Sequence, residues 1–130
     1  MLSQNQVVEI RRAFEQVYYD KCSIFEKQKV THEDHSTTFE EVEVLSNQKC
    51  RIDFENETVA NNENQVAIVS QTITLFIDPT IEIKKVSKIK VTYTDKVTQE
   101  TVTKDYTRSG EPAIYNSHQE VPLELFSRYA

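Results

Sequence analysis

Glycine is almost missing from this chain, which has one, Gly110, among 130 residues. Tight two-residue hairpin turns usually depend on glycine, so a fold that connects most of its strands in that way is excluded. Most connections are expected to be longer loops, or turns formed by Asn, Asp and Ser. The position of the single glycine is expected to need a backbone conformation that other residues resist.

Long apolar runs are lacking as well. The longest uncharged run, residues 64–77, is too short and too polar to span a membrane, and the polar N-terminus shows no apolar signal segment. We therefore expect no membrane partner and a protein that is cytosolic at synthesis, with both of its cysteines, Cys22 and Cys50, reduced. Because each cysteine alternates with polar neighbours, both are interpreted as buried core thiols rather than as a disulfide or a metal site.

Positive charge is in short supply, since 15 Lys and Arg face 21 Asp and Glu and the formal net charge is −6. Non-specific binding to nucleic acid requires clustered Lys and Arg and is not expected. The charge is also uneven, because residues 33–63 carry a net −7 and residues 84–104 a net +4. This asymmetry either favours head-to-tail association through complementary patches or reflects two separately solvated faces.

β-Branched residues are abundant, with 14 Val, 10 Ile and 13 Thr. This composition indicates a mainly β fold. A chain of 130 residues is long enough for one domain with a core of its own.

Residues 3–17 are predicted to form one amphipathic helix, because Val7, Ile10, Phe14 and Val17 recur at helical spacing. Ser3, followed three residues later by a glutamine, fits a capping box. A helix this short needs a surface to dock on. That surface is either the protein's own sheet or a neighbouring subunit.

Short strand-like segments follow the helix, separated by polar stretches. They are residues 21–30, 39–45, 50–55, 66–77, 89–93, 101–108, 113–115 and 119–126. Strands of this number and length predict a small antiparallel β-barrel of about six to seven strands with one N-terminal α-helix, because closing the sheet removes its edges. The whole chain, 1–130, is expected to be one domain with its barrel over 21–126.

Residues 55–65 are acidic and rich in asparagine, with little to bury, and are predicted to form a projecting loop. A loop of this length is either a solvated connection or a functional element.

No arrangement of residues predicts catalysis. His32 and His35 lie in a polar stretch without a nearby third metal ligand, so a solvated loop is favoured over a metal site. Ser117 and His118 are adjacent in sequence, which is not the geometry of a catalytic triad. We expect no enzymatic activity, no metal and no cofactor.

The segment around Gly110 is interpreted as a corner between strands. Gly110 is expected to adopt a positive φ, and Pro112 to stiffen the exit from the turn. His118, Gln119 and Glu120 are expected to bond to the turn and position the last strand.

Three segments, in this order, carry a resemblance to a known family. They are residues 48–54 (QKCRIDF), residues 75–83 (LFIDPTIEI) followed by Lys88 and Ile89, and residues 106–120 (YTRSGEPAIYNSHQE). From about Val17 to the C-terminus the chain resembles the minor capsid, or head-completion, proteins of long-tailed phages, including those of defective Bacillus prophages. It is similar to the head-closure, or stopper, proteins of the head-to-tail connector.

The sequence departs from this family pattern at three places. Lys49 stands where a proline often precedes the Cys-Arg pair, and Val86 lies where a glycine is common before the Lys-Ile strand. Residues 31–47 form a longer segment than the pattern has. These differences leave open which ring of the connector the protein would occupy.

The resemblance implies a virion protein of the phage neck, made in the host cytoplasm, that assembles into a ring of about twelve copies. The ring would lie between the adaptor and portal above and the tail terminator and tail tube below, with double-stranded DNA passing through without specific binding. The loop at 55–65 would project into the channel and retain the DNA. The channel residues implied are Glu55, Asn56, Glu57, Asn61, Asn62, Glu63 and Asn64.

The subunit interface is expected to include Phe14, Lys84, Lys85 and Lys88. Two other functions remain open from the sequence: a tail-terminator or adaptor ring protein of the same neck, and a stand-alone β-domain that binds protein or carbohydrate. The second should present exposed aromatic side chains on one face, whereas Tyr93, Tyr106 and Tyr115 lie in predicted strands, where packing is the commoner use.

Overall fold

A computed structural model describes residues 3–61 and 66–129 of the chain, and within them it has one α-helix and seven β-strands. The elements are α1 (Gln4–Glu15), β1 (Asp20–Thr31), β2 (Thr37–Asn61), β3 (Val66–Ile77), β4 (Lys88–Thr94), β5 (Thr101–Arg108), β6 (Ala113–Ile114) and β7 (Gln119–Leu125).

The strands form one antiparallel sheet that closes on itself. Their order is β3-β2-β1-β4-β5-β7-β6, and an additional β3–β7 pairing joins the two ends of the first six. We call this ring of six hydrogen-bonded strands the closed sheet. The expected mainly β fold with an N-terminal helix is confirmed.

Alternating side chains of the strands fill the interior of the closed sheet. Ile24, Leu75, Ile89 and Val121, for example, are at most 1% exposed. Burial of each such aliphatic side chain contributes about 1.5–3 kcal/mol relative to the exposed state. The core also includes Cys22 and Cys50, which are free thiols, so the sequence interpretation of both cysteines as buried core residues is confirmed.

β2 is one strand of 25 residues where the sequence predicted two shorter strands, residues 39–45 and 50–55. The apparent break is an irregularity in the β1–β2 register on both sides of Ile24, which pairs with Leu45; Asn47, whose φ is 49°, lies across from Ser23. The Asn47 backbone N–H donates to Ser23 Oγ at 3.2 Å. A bulge of this kind bends a strand without ending it, and this explains why polar residues interrupt the alternation here.

The predicted loop at 55–65 is wrong over its described part. Residues 55–61 belong to β2 and pair with residues 66–72 of β3, in unbroken register from Glu55↔Thr72 to Asn61↔Val66. Residues 62–65 lie outside the described part of the chain. Backbone hydrogen bonds to the partner strand hold this segment, so its side chains need no apolar alternation and composition alone could not reveal the strand.

Two hairpin arms extend beyond the closed sheet. The first arm consists of residues 26–31 of β1 and 37–42 of β2, and the second arm consists of residues 55–61 of β2 and 66–72 of β3. Within the described residues, the strands of each arm pair only with each other, because β1 meets β4 only up to Phe25 and β3 meets β7 only from Ile73. The arms begin at opposite ends of β2.

Helix α1 starts at the predicted capping box, in which Ser3 Oγ accepts from the Gln6 N–H at 3.2 Å and Gln6 Oε1 accepts from the Ser3 N–H at 2.8 Å. It docks on the chain's own sheet through Phe14 and through Arg11, whose Nε donates to the Asn116 carbonyl at 2.9 Å. No residue of α1 is buried. The helix is therefore attached at its C-terminal end and largely exposed elsewhere.

The expected positive φ at Gly110 is wrong, because its φ lies outside the left-handed region. A Cβ placed on Gly110 would meet Pro122 Cγ at 3.5 Å, which is ordinary van der Waals contact. Positive φ values occur instead at His35 (66°), Asn47 (49°), Val86 (65°) and Gln99 (62°). The turn around Gly110 is held by a hydrogen bond instead, because the Ser109 N–H donates to the Pro122 carbonyl at 2.9 Å.

Candidate functional site

The second arm contains most of the residues that the sequence assigned to a channel loop. Glu55 and Asn56 are exposed where the arm leaves the closed sheet, Glu57 and Asn61 lie further along β2, and Asn62, Glu63 and Asn64 lie outside the described residues. Six residue steps of about 3.3 Å give this arm a reach of about 20 Å. The structure thus places Glu55, Asn56, Glu57 and Asn61 on a hairpin strand rather than on an irregular loop.

His118, directly before β7, is the centre of an aromatic stack. Its ring lies nearly parallel to Phe14, with centroids 4.5 Å apart and planes at 8°, and to Tyr115 at 4.8 Å and 17°. Its Nδ1 is 2.8 Å from Ser117 Oγ and its Nε2 is 3.4 Å from Glu120 Oε2. His118 therefore links α1, the turn and β7, and both ring nitrogens have polar neighbours.

Gln119 connects the start of β7 to the segment after β3. It is 1% exposed, and its Nε2 donates to the carbonyls of Asp78 at 3.2 Å and Ile81 at 2.8 Å. Because a buried amide without such partners would be costly, these bonds fix the path of the 78–83 segment. The sequence predicted that His118 and Gln119 bond to the turn around Gly110, but Gln119 bonds to the segment after β3 instead.

Lys88 forms a bidentate ion pair with Glu41, with its Nζ 2.8 Å from both carboxylate oxygens. The Tyr129 hydroxyl donates to Glu41 Oε2 at 2.9 Å, and the Lys88 ammonium lies 5.0 Å from the centroid of the Phe25 ring. The Lys88 hydrogen bond lowers the pKa of Glu41. Burial, followed by the Glu41 contact, raises the pKa of Tyr129 to about 12. This cluster ties the base of the first arm to β4 and to the C-terminus.

Two of the four residues predicted for a subunit interface are thus engaged within the chain, Phe14 on His118 and Lys88 on Glu41. The other two, Lys84 and Lys85, are exposed on the turn before β4. Lys84 Nζ lies 3.9 Å from Glu26 Oε1, and its side chain is 63% exposed. Whether any of the four contacts another subunit stays a prediction.

The turn that carries these lysines adjoins a surface cleft of about 480 Å³. The cleft lies between the first arm and the turn, and we call it the basic cleft. Its lining residues are Glu26, Lys27, Gln28, Phe39, Lys84, Lys85, Val86, Ser87 and Tyr129. Three of them are lysines, so an anionic group is the ligand chemistry that it suits.

Val86 gives this turn an unusual backbone. The Ser87 N–H donates to the Lys84 carbonyl at 3.3 Å, which makes Val86 the third residue of a four-residue turn, with a φ of 65°. Glycine is the favoured residue at a turn position with positive φ, and a β-branched residue there is strained. Val86 lies where the resembled family commonly has a glycine, but that difference alone did not predict the strain.

The cleft itself was missed by sequence analysis, since Phe39 and Tyr129 are distant in sequence from Lys84. The sequence feature that could have indicated the cleft is the pair Lys84-Lys85 beside Val86, which departs from the family pattern. The pairing of Glu41 with Lys88 had no local signal, because the two residues are 47 positions apart.

The two histidines of the first turn are not placed around a shared metal site. His32 Nε2 is 2.8 Å from Thr38 Oγ1 and 3.4 Å from Glu40 Oε1, and no group of three or more potential metal-binding side chains occurs among the described residues. The Cys50 thiol has a raised pKa because of its hydrogen bond with Cys22 and its burial. A raised thiol pKa disfavours the reactive thiolate.

No helix in residues 3–61 and 66–129 is long and apolar enough to cross a membrane. The surface of the described residues shows two projecting hairpins, a largely exposed helix and the basic cleft. The structure is that of a mainly β protein with one N-terminal helix.

No protein-family model matches the chain, and no curated protein matches it. Among solved structures, the chain is similar to the phage-like element PBSX protein xkdH from Bacillus subtilis. The two are 11% identical, with a TM-score of 0.46, and the match covers 81% of this chain and 91% of that one.

Proposed function

We propose that this protein is a structural subunit of a phage head-to-tail connector. In this proposal about twelve copies form a ring that closes the DNA channel after packaging and provides a surface for tail attachment. The ring contacts the adaptor and portal on one side and the tail terminator on the other. The protein is then a component of the virion neck.

The observation that carries the proposal is the second arm. It is a two-stranded hairpin that leaves the closed sheet and, within the described residues, pairs with no third strand. A two-stranded hairpin is marginally stable by itself in water. Copies of such an arm that converge from a ring of subunits would support one another and obstruct a channel that a single arm could not fill.

Charge supports the same role. The arm carries Glu55 and Glu57 on β2 and no Lys or Arg between residues 55 and 72. Carboxylates repel DNA phosphates across the Debye length, which is about 8–10 Å at physiological ionic strength. DNA would therefore be blocked by the arms without adhering to them, and it could leave once the arms move aside.

The sequence supports the proposal through the three segments that carry the family resemblance, residues 48–54, 75–83 and 106–120. In the structure these segments lie in β2, from the end of β3 into the following segment, and from β5 through β7. They therefore belong to the closed sheet and its turns, which identify an architecture. We assign the retention of DNA to the second arm.

The test is a phage that lacks this protein. We expect its heads to package DNA and then to lose it, which can be measured as the ratio of full to empty heads and as nuclease-sensitive DNA in the lysate. Heads that stay full and merely fail to gain tails would contradict the stopper role. That result would favour a tail-terminator or adaptor ring instead.

A further inference from the structure

The basic cleft combines three kinds of surface in one place. Lys27, Lys84 and Lys85 supply positive charge. Phe39 and Val86 supply exposed apolar area, with 68% and 51% of each side chain accessible to solvent. Exposed apolar side chains ringed by charge are typical of a surface that another protein covers.

Ser87 adds an unused polar group to this cleft. Its side chain is 2% exposed, and its Oγ has no hydrogen-bond partner among the described residues. A buried hydroxyl without a partner is unfavourable, so it is expected to bond to a group that enters the cleft. The strained φ of Val86, immediately before it, is a second feature that folding stability alone does not explain.

An element of opposite charge occurs at the tip of the first arm, which we define as residues 32–36. Every residue from 31 to 41 is exposed, and the tip carries Glu33 and Asp34. Asp34 Oδ1 accepts hydrogen bonds from the Ser36 N–H at 3.0 Å and from its hydroxyl at 2.5 Å. These bonds give the tip a defined shape, and Glu33 lies exposed beside them.

We infer that the tip of the first arm of one copy docks in the basic cleft of the next copy. Glu33 and Asp34 of the tip then meet Lys84 and Lys85, and the rest of the tip covers Phe39 and Val86. Such a contact is head-to-tail, because tip and cleft are different surfaces, and it closes into a ring when the rotation between copies permits.

A second copy is favoured over an unrelated acidic partner because of how the chain distributes its charge. Residues 33–63 carry a net −7 and residues 84–104 a net +4, so each copy has both halves of the contact. The tip begins four residue steps, or about 13 Å, beyond Gln28, so the first arm of one copy would extend over the cleft of its neighbour. This inference rests on the ring proposed above and specifies the contact that builds it.

The test uses charge reversal of each half in the full chain. Lys84→Glu/Lys85→Glu reverses the cleft, and Glu33→Lys/Asp34→Asn changes the tip while leaving an acceptor for Ser36. Each variant is expected to lower the fraction of portal–adaptor complexes that carry an added ring by about tenfold, because like charges then meet. The fraction is counted in negative-stain electron micrographs.

Mixing the two defective variants is the decisive experiment. The acidic cleft of one fits the basic tip of the other, and the acidic tip of the first fits the basic cleft of the second, so an equimolar mixture should form rings at the wild-type level. The matched controls are Lys96→Glu/Lys104→Glu and Glu100→Lys/Glu124→Lys, which change exposed residues away from the cleft and the tip. Both controls should form rings as the wild type does.

Failure of this inference can be distinguished from failure of the proposed function. Normal rings from either reversed variant would overturn the tip-to-cleft contact and leave the ring intact. If the wild type forms no ring on portal–adaptor complexes, the connector function is wrong, and sedimentation velocity at low salt then decides the contact. Self-association lost in both variants and restored in their mixture would support it, whereas a monomer under all conditions would overturn it.

Discussion

Val86 shows at the scale of one residue where the backbone of this protein is strained. The turn from Lys84 to Ser87 places its third residue at a φ of 65°, where glycine fits and valine is strained. The single glycine of the chain is elsewhere, at a position that does not need it. The scarcity of glycine therefore bears on the number of tight turns, but the position of the single glycine did not show where the backbone adopts a positive φ.

We predict that Val86→Gly stabilises the protein. Relief of about 1–3 kcal/mol of backbone strain outweighs the cost of about 0.5–1 kcal/mol from the greater freedom of glycine in the unfolded chain. The net gain should be about 1 kcal/mol in urea unfolding. Val97→Gly is the control, because Val97 is 91% exposed in a turn with no positive φ at that position. A loss of stability in Val86→Gly equal to that of the control would contradict the strain.

The raised pKa values of three tyrosines predict how the stability of the protein falls at high pH. Burial is the main cause that raises the pKa of Tyr18, Tyr106 and Tyr129 to about 12 each. Because an unfolded tyrosine ionises near pH 10, the stability that these groups contribute is complete below pH 10 and is lost as the pH rises toward 12.

The melting temperature should therefore fall steeply between pH 10 and 12. Tyr106→Phe should lessen that slope, because it removes one of the three hydroxyls. Tyr19→Phe is the control, since the Tyr19 side chain is 82% exposed. A Tyr106→Phe variant with the wild-type slope would show that burial of this hydroxyl has no part in the pH dependence.

At the scale of elements, the strands with one buried face were predictable and the others were not. The predicted strands that became β4, β5 and β7 have inward-facing residues such as Ile89, Tyr106 and Val121, whose alternation is visible in the sequence. In the second arm, the half that belongs to β3 was predicted, because residues 66–77 were expected to be a strand. Residues 55–61 of β2 have no such alternation and were predicted to be a loop.

Helix α1 was predictable from its capping box and periodicity, whereas its docking surface was not. The stack of Phe14 on His118 joins residues from the two ends of the chain. Nothing local to the helix indicates that partner.

We predict that Phe14→Ala detaches α1 without unfolding the closed sheet. Removal of the stack, worth about 0.5–1.5 kcal/mol beyond its buried area, leaves the Arg11–Asn116 hydrogen bond to hold the helix. Amide hydrogen exchange should accelerate across Gln4–Glu15 and stay slow in β4. Phe39→Ala, at an exposed position on the first arm, should leave the helix protected. Equal protection of the helix in both variants would contradict this mode of docking.

At the scale of the whole molecule, the second arm should be separable from the fold. We predict that replacing residues 57–70 with Asn-Gly preserves the closed sheet, because Asn56 and Gln71 are paired and a two-residue turn can join them. Assembly of rings should persist while retention of packaged DNA weakens. Loss of assembly would mean that the arm is a subunit interface instead.

The overall charge pattern was visible in the sequence, but its geometry was not. The acidic tip and the lysines of the basic cleft both belong to segments whose charge was evident from composition. The tip projects because, within the described part of the chain, residues 26–31 and 37–42 pair only with each other. The cleft forms where residues of this arm lie beside the turn before β4, which is far from them in sequence.

The most direct test of the connector function is electron microscopy of the purified protein with portal–adaptor complexes. We predict a ring of density on the adaptor, coaxial with the channel, with the second arms directed toward the channel axis. Protein that does not bind these complexes, or a ring whose second arms point away from the channel, would contradict the assigned role.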